Sequence, residues 1–262
     1  MTPTGASALG LALDALARSP SGLLADLDGT LAPIVADPAA VLLADGAGAA
    51  LTALADRLAV VGIVTGRAAH DARRIIGPAR ALVIGNHGLE WLAPGAAGPE
   101  RSDRLAAVAG TLERMLAAVP GEAGVSVDHK GLSATVHYRN AADPAAARAR
   151  ILGALEASLP EGIELRHGRM SVELRPVGMG DKGSAVHQVV ERYGLRGLLV
   201  MGDDLTDLDM FRAAAELRAA GQLHAAIVAV GAGREVPHQV AATADAMVAS
   251  PSDAVALLRA LM

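Results

Sequence analysis

Five short and almost uninterrupted apolar runs constrain this chain more than any other feature: Gly22 to Leu27, Leu58 to Val64, Ala81 to Ile84, Gly197 to Met201 and Ala225 to Val230. A strand that shows no polar alternation is one covered on both faces. Between these runs lie Ala- and Leu-rich stretches with helical spacing, such as Val41 to Arg57 and Ala68 to Ile76. Repeated β-α units of this kind predict an α/β fold built on a doubly wound parallel sheet. The chain has 262 residues, of which 52% are hydrophobic, so it can bury a large core; disorder and a small disulfide scaffold are excluded.

The middle of the chain reads differently. Val125 to Arg139 and Ile163 to Arg175 alternate polar and apolar residues, the pattern of strands with one covered face, and His167-Gly168 falls where a tight hairpin turn is expected. Helical stretches at Arg104 to Val119 and Pro144 to Leu159 precede these strands in turn. The reading is a smaller α+β domain, residues 105–176, inserted between core segments 1–104 and 177–262. Gly95 to Asp103 and Pro176 to Gly180, where Gly, Pro and polar residues cluster, are the expected hinges.

Charge and composition exclude several classes of function. A net charge of -5 leaves no electrostatic footprint for a nucleic acid, and the absence of cysteine removes thiol chemistry, disulfides and thiolate metal sites. The stretch from Met1 to Pro20 lacks a basic leader, carries Asp14 and Arg18, and spaces Leu9, Leu13 and Leu16 as a helix does. No charge-free run is long enough to cross a bilayer. A cytoplasmic protein without a membrane partner is expected; the oligomeric state is open, with a monomer the simplest expectation. Among 23 basic residues only Lys130 and Lys182 are lysine, which suggests positions that need a compact point charge.

Chemistry concentrates at the ends of the apolar runs. The first ends in Asp26-Leu27-Asp28-Gly29-Thr30, and in an open parallel sheet ligands bind outside the carboxyl ends of the strands. Asp26 and Asp28 converge if the chain turns at Gly29, and close carboxylates call for a cation or a shared proton. A hard divalent ion such as Mg²⁺ meets that need beside a phosphate. Asp203, Asp204 and Asp207 follow another run, with Thr206 read as a helix N-cap; Thr65 follows a third, and Lys182 lies past the insert.

Taken in order, DLDGT, the Thr of VTGR, the Lys of DKG and GDDLTD resemble the four motifs of the haloacid dehalogenase superfamily, whose core is Rossmann-like. The resemblance implies that Asp26 is a nucleophile forming an aspartyl-phosphate, that Asp28 is general acid and then base, and that Thr65 and Lys182 hold phosphoryl oxygens. It also implies Mg²⁺ bound by Asp26, the backbone carbonyl of Asp28 and Asp203, with Asp204 and Asp207 in support. More closely, DLDGTLAPI, VTGR, GNHGLE, HKGLSATVHYR, VELRPVGMGDKG and GDDLTDLDMF resemble the trehalose-6-phosphate phosphatase family. That resemblance makes the insert a cap closing over a small-molecule substrate, trehalose 6-phosphate. Asp128, Lys130 and Glu173 would hold the distal glucose, and Arg67, Asn86 and His87 would flank the sugar phosphate.

The strand pattern is compatible with this. Ser126, Asp128 and Lys130 share a parity, as do Ser171, Glu173 and Arg175, so each set falls on one strand face. A solvated strand face would alternate in the same way. The family usually has Glu where Asp128 stands, and an acid is common where Leu208 stands. His137, Tyr138 and Arg139 match the family pattern and are expected to brace the cap. Another sugar phosphate, such as sucrose 6-phosphate, or a non-catalytic module that has kept the fold, are the competing readings.

Overall fold

The computed structural model describes residues 7–35, 37–100, 103–129, 132–168, 170–177, 181–231 and 236–262. The chain divides into two compact units, one made of Met1–Pro99 with Gly180–Met262 and the other of Glu100–Met179. The second unit extends a few residues beyond the 105–176 read from sequence. Parts of both expected hinges, residues 101–102 and 178–180, lie outside the described residues, as does Lys130.

In the first unit, the apolar runs become β1 (Ser21–Ala25), β2 (Val60–Val64), β3 (Leu82–Gly85), β9 (Gly197–Gly202) and β10 (His224–Val230). Two short strands that the apolar-run pattern missed, β4 (Glu90–Leu92) and β11 (Ala246–Val248), complete a sheet of order β11-β10-β9-β1-β2-β3-β4. All neighbours are parallel except β3 and β4. Alternate residues feed two cores. Leu23, Ile63, Leu199 and Val228 face α1 (Ala8–Leu16), α2 (Ala47–Ala55), α3 (Ala69–Ile76) and α9 (Pro251–Ala260). Leu24, Val64, Val200 and Ile227 face α6 (Lys182–Tyr193), α7 (Leu208–Ala219) and α8 (His238–Thr243). Helices on both sides explain why these strands carry no polar alternation.

Three local expectations are corrected. The helix read over Val41 to Arg57 begins only at Ala47: Gly46 takes φ +80°, and Ala44 N–H instead donates to Leu31 O at 2.8 Å, tying the segment to the loop after β1. Thr206 does not cap α7; its hydroxyl and N–H both donate to Asp204 Oδ1 at 2.7 Å, and the helix starts at Leu208. Of the leucine stripe on the first helix, Leu9 and Leu16 pack partly buried against the core beside buried Ala12 and Ala15, whereas Leu13 is exposed.

The second unit is an antiparallel sheet of order β5-β6-β8-β7, made of β5 (Ser126–His129), β6 (Ala134–His137), β7 (Ile163–Gly168) and β8 (Ser171–Pro176). Helices α4 (Asp103–Ala117) and α5 (Pro144–Glu156) share its core, in which Leu112, Met115, Ile151 and Leu155 meet Val136, Tyr138, Val172 and Leu174. The strand continues through His167 and Gly168, which pair with Val172 and Ser171, so the expected turn at His167-Gly168 is instead part of the ladder; Met170 has φ +61°. Tyr138 is a core residue, whereas His137 is exposed. Among the described residues no helix is long and apolar enough to cross a membrane.

Candidate active site

The carboxyl ends of β1 and β9, adjacent in the middle of the sheet, bring the acidic motifs together. After β1 the chain turns sharply: Leu31 and Ala32 N–H both donate to Leu27 O, and Gly29 takes φ +87°. The turn needs glycine for a second reason, since a Cβ there would lie 2.1 Å from Asp203 Oδ2. Thr30, fully buried, donates its hydroxyl to Asp203 Oδ1 at 2.9 Å.

Lys182 is the first residue of α6, and Asp181 and Ser184 close a reciprocal capping box around its backbone. An ammonium at the positive end of a helix dipole is electrostatically misplaced. Two carboxylates compensate: Lys182 Nζ donates to Asp26 Oδ1 and to Asp207 Oδ1, each at 2.7 Å. All three groups are buried. Burial alone lowers the lysine, but the Asp26 and Asp207 charges and their hydrogen bonds outweigh it and hold the ammonium well above its usual range. The other oxygen of Asp207 accepts the N–H groups of Asp203 and Asp204 at 2.8 and 3.1 Å, so one carboxylate fixes both the lysine and the loop after β9.

Oxygens of Asp26, Asp203 and Asp207 lie within 4.8 Å of one another. Burial first, then the Asp207 and Asp203 charges, push Asp26 up despite the pull of Lys182. Burial, with Asp207 and Asp204, pushes Asp203 up to about 7, against the lowering effect of Thr30 and Lys182. One lysine does not neutralise three carboxylates, and an all-oxygen set of excess negative charge suits a hard divalent cation. The donor chemistry therefore fits Mg²⁺. Both oxygens of Asp207 already accept hydrogen bonds, so within this group Asp26 and Asp203 are the carboxylates that could more readily hold such an ion.

Asp28 stands at the rim. Arg67 grips it with two parallel bonds, Nε to Oδ2 at 2.6 Å and Nη2 to Oδ1 at 2.7 Å, and its Nη1 donates to Pro38 O at 3.0 Å. Thr65, buried at the end of β2, receives the Arg67 N–H on its hydroxyl at 3.2 Å. The VTGR and GNHGLE segments interlock: Asn86 N–H donates to Arg67 O at 2.7 Å and His87 N–H to Thr65 O at 2.9 Å. Asn86, His87 and Gly88 take φ of +48°, +56° and +113° in succession, and the His87 ring lies so close to Gly66 that a Cβ on that glycine would be 2.6 Å from it. Strained backbone of this kind collects at functional sites.

The structure thus gathers Asp26, Asp203, Asp207 and Lys182 into one centre, with Asp28 in the same turn after β1 and Thr65 and Arg67 after the adjacent β2. It turns Asn86 inward, where its Nδ2 donates to buried Glu90 Oε2 at 3.0 Å. Asp204 is exposed and lies outside the carboxylate group. Asp128 and Glu173 belong to the second unit. Sequence reasoning gave no role to Thr30 or Glu90, although both lie inside quoted motifs. Glu90 Oε2 also accepts Ala69 N–H at 2.8 Å and so anchors α3 beneath the turn. A carboxylate four residues after Asn86 was the available signal.

A family model described as trehalose-phosphatase matches residues 24–245. The trehalose-phosphate phosphatases of Mycolicibacterium paratuberculosis and of Mycobacterium tuberculosis H37Rv are 38% and 36% identical over 226 residues, 80% of this chain. These matches cover 56% and 55% of the two relatives, so the chain spans little more than half their length. A solved Aspergillus fumigatus trehalose-6-phosphate phosphatase aligns with a TM-score of 0.65 and 26% identity, over 99% of this chain and 98% of that one. The C-terminal domain of the Candida albicans trehalose-6-phosphate phosphatase, at 22% identity, shares the fold with a TM-score of 0.71 over 98% of this chain and 97% of its own.

Proposed function

The chain belongs to the trehalose-phosphatase family, and from that membership and its buried carboxylate-lysine centre we propose that it hydrolyses trehalose 6-phosphate in a Mg²⁺-dependent reaction through an aspartyl-phosphate on Asp26. The observation that carries the chemistry is the pairing of Asp26 with Lys182 at 2.7 Å beside Asp203 in a buried site. Phosphoryl transfer asks for positioning and charge neutralisation, and this centre supplies both. The family carries the substrate.

In the first step an Asp26 carboxylate oxygen attacks phosphorus, the bond from phosphorus to the sugar oxygen breaks, and that oxygen takes a proton from Asp28. In the second, Asp28 takes a proton from water, the water oxygen attacks the same phosphorus, and the bond to Asp26 breaks to release phosphate. Lys182 and the Thr65 hydroxyl hold phosphoryl oxygens. Asp26, Asp203 and the Asp28 carbonyl would hold Mg²⁺, which when bound neutralises phosphoryl charge. Asp207 keeps Lys182 and the loop after β9 in place, and Asp204 acts from the outer side of that loop.

Arg67 acquires a defined part. Its fork occupies both Asp28 oxygens, so donating a proton to the leaving alcohol requires one of them to be released. The substrate phosphate is the competing anion that draws the guanidinium away. The second unit supplies the distal sugar contacts through Asp128, Lys130 and Glu173, and Asn86 and His87 shape the phosphate side. The reading includes a cytoplasmic location and neither a nucleic-acid nor a membrane partner.

The test is phosphate release from trehalose 6-phosphate, sucrose 6-phosphate, glucose 6-phosphate and p-nitrophenyl phosphate, each with Mg²⁺ and with EDTA. The expected result is a Mg²⁺-dependent preference for trehalose 6-phosphate that Asp26→Asn lowers by about a thousandfold or more. Release from none of them overturns the reading, and a strong preference for another sugar phosphate overturns the substrate.

A further inference from the structure

The sheet of the second unit places four polar residues in one row. Asp128 on β5 is opposite Thr135 on β6, Thr135 is opposite Glu173 on β8, and Glu173 is opposite Arg166 on β7. Directly opposed residues project from the same face of a sheet. Their sequence neighbours Val136, Val172 and Leu174 project from the other face, into the core shared with α4 and α5. Asp128 and Arg166 are exposed, and Thr135 and Glu173 are half-buried.

We propose that Thr135 and Arg166 are sugar-binding residues that complete this row as a platform for the distal ring of the substrate; the inference rests on the reading that Asp128, Lys130 and Glu173 hold that ring. Ionised carboxylates only accept hydrogen bonds, whereas each sugar hydroxyl both donates and accepts. A polyol held by Asp128, Lys130 and Glu173 meets two acceptor groups and a single donor group, so oxygens beyond the reach of that one ammonium lose the donors that water supplied, at a cost in affinity. Thr135 stands between the two carboxylates, whose strands are about 9.6 Å apart at two strand spacings. A ring that reaches both lies over Thr135, whose hydroxyl donates to a ring substituent or accepts from one. Arg166 ends the row with a guanidinium. Its Nε donates to Glu164 Oε1 at 3.1 Å, and Arg175 reaches the same oxygen at 2.8 Å, so Glu164 orients Arg166 while further N–H donors stay available for a hydroxyl.

The experiment compares kcat/KM for trehalose 6-phosphate with that for p-nitrophenyl phosphate in Thr135→Val, Thr135→Ser, Arg166→Met and Glu173→Ala. Valine keeps the shape and the β-branch that suit a strand, so a melting curve matching the parent is expected. The disaccharide-to-aryl ratio should fall about five- to tenfold in Thr135→Val and in Arg166→Met, the scale of one lost hydrogen bond, and return to within about twofold in Thr135→Ser. An equal fall on both substrates, or an unchanged ratio in Thr135→Val and Arg166→Met while Glu173→Ala lowers it, overturns the inference and leaves the underlying reading standing. An unchanged ratio in Glu173→Ala as well overturns the reading of the second unit itself.

Discussion

Replacing Asp207 by asparagine changes one atom and should damage both stability and turnover. The carboxylate is fully buried, with Oδ1 on Lys182 Nζ at 2.7 Å and Oδ2 on the Asp203 and Asp204 N–H groups at 2.8 and 3.1 Å. An amide has one acceptor oxygen and one NH₂. Turned one way it points the NH₂ at an ammonium, and turned the other way at two backbone donors. Opening a buried ion pair by removing one partner costs about 3–5 kcal/mol, and a hydrogen bond to a charged group about 1.5–3 kcal/mol of the same loss. A second effect has the opposite sign: Asp207 is among the charges that push Asp26 and Asp203 up, so neutralising it relieves repulsion. Mg²⁺, if it binds as proposed, would already compensate that repulsion, and the full penalty should then show. For a chain of this size each kcal/mol moves the melting midpoint by about 2–4 °C, so the Mg²⁺-saturated variant should melt on the order of 10 °C lower. The gap should narrow in EDTA. Lys182 loses one of its two anchors, and on its proposed role as a phosphate-binding group the displacement should lower kcat by about a hundredfold. Thermal melts with and without Mg²⁺, together with phosphate release, read all three effects. A variant melting within about 2 °C of the parent and keeping half its turnover would refute the reasoning, as would a gap that widens in EDTA.

Gly29→Ala should destabilise the protein by at least about 1 kcal/mol from the left-handed backbone alone. Its methyl group would also displace Asp203, so the Mg²⁺ concentration for half-maximal activity should rise about tenfold or more; a normal Mg²⁺ titration would contradict the close approach seen at that turn. Arg67→Ala should reduce kcat more for a sugar phosphate than for p-nitrophenyl phosphate, because a nitrophenolate leaves without a proton and depends little on an oriented Asp28. Lysine should not restore the difference, since an ammonium does not form the two parallel bonds. Equal losses on the two substrates would assign Arg67 to phosphate binding alone.

The apolar runs made the parallel sheet legible because a strand covered on both faces leaves no other trace in sequence. Short strands with mixed contacts left none: β4 and β11 have three residues each. The start of α2 was misplaced because hydrophobic content does not reveal that Gly46 takes a left-handed conformation or that Ala44 is bonded to Leu31. Motif order grouped Asp26, Lys182 and the GDDLTD carboxylates, and the resemblance implied a duty for each, but not which side chain pairs with which. Asp207 and Asp204 look alike in sequence, yet one is the fully buried partner of Lys182 and the other is exposed on Thr206. Thr30 carries no signal of its own, because its importance lies in which buried group it meets, and Glu90 carries only that of a carboxylate four residues after Asn86.

By itself, then, the sequence determined the local terms: which segments bury both faces, the turn at Gly29 after the first strand, and which acids, threonine and lysine are available at strand ends. These follow from periodicity, backbone sterics and side-chain chemistry within a few residues. Only the tertiary structure decided which of them meet. Lys182 reaches Asp26 across 156 positions of sequence, and Arg67 reaches Asp28 across 39. Whether a carboxylate binds a lysine, a guanidinium or a backbone N–H depends on distances of about 3 Å that strand order and register set, and no local pattern encodes those.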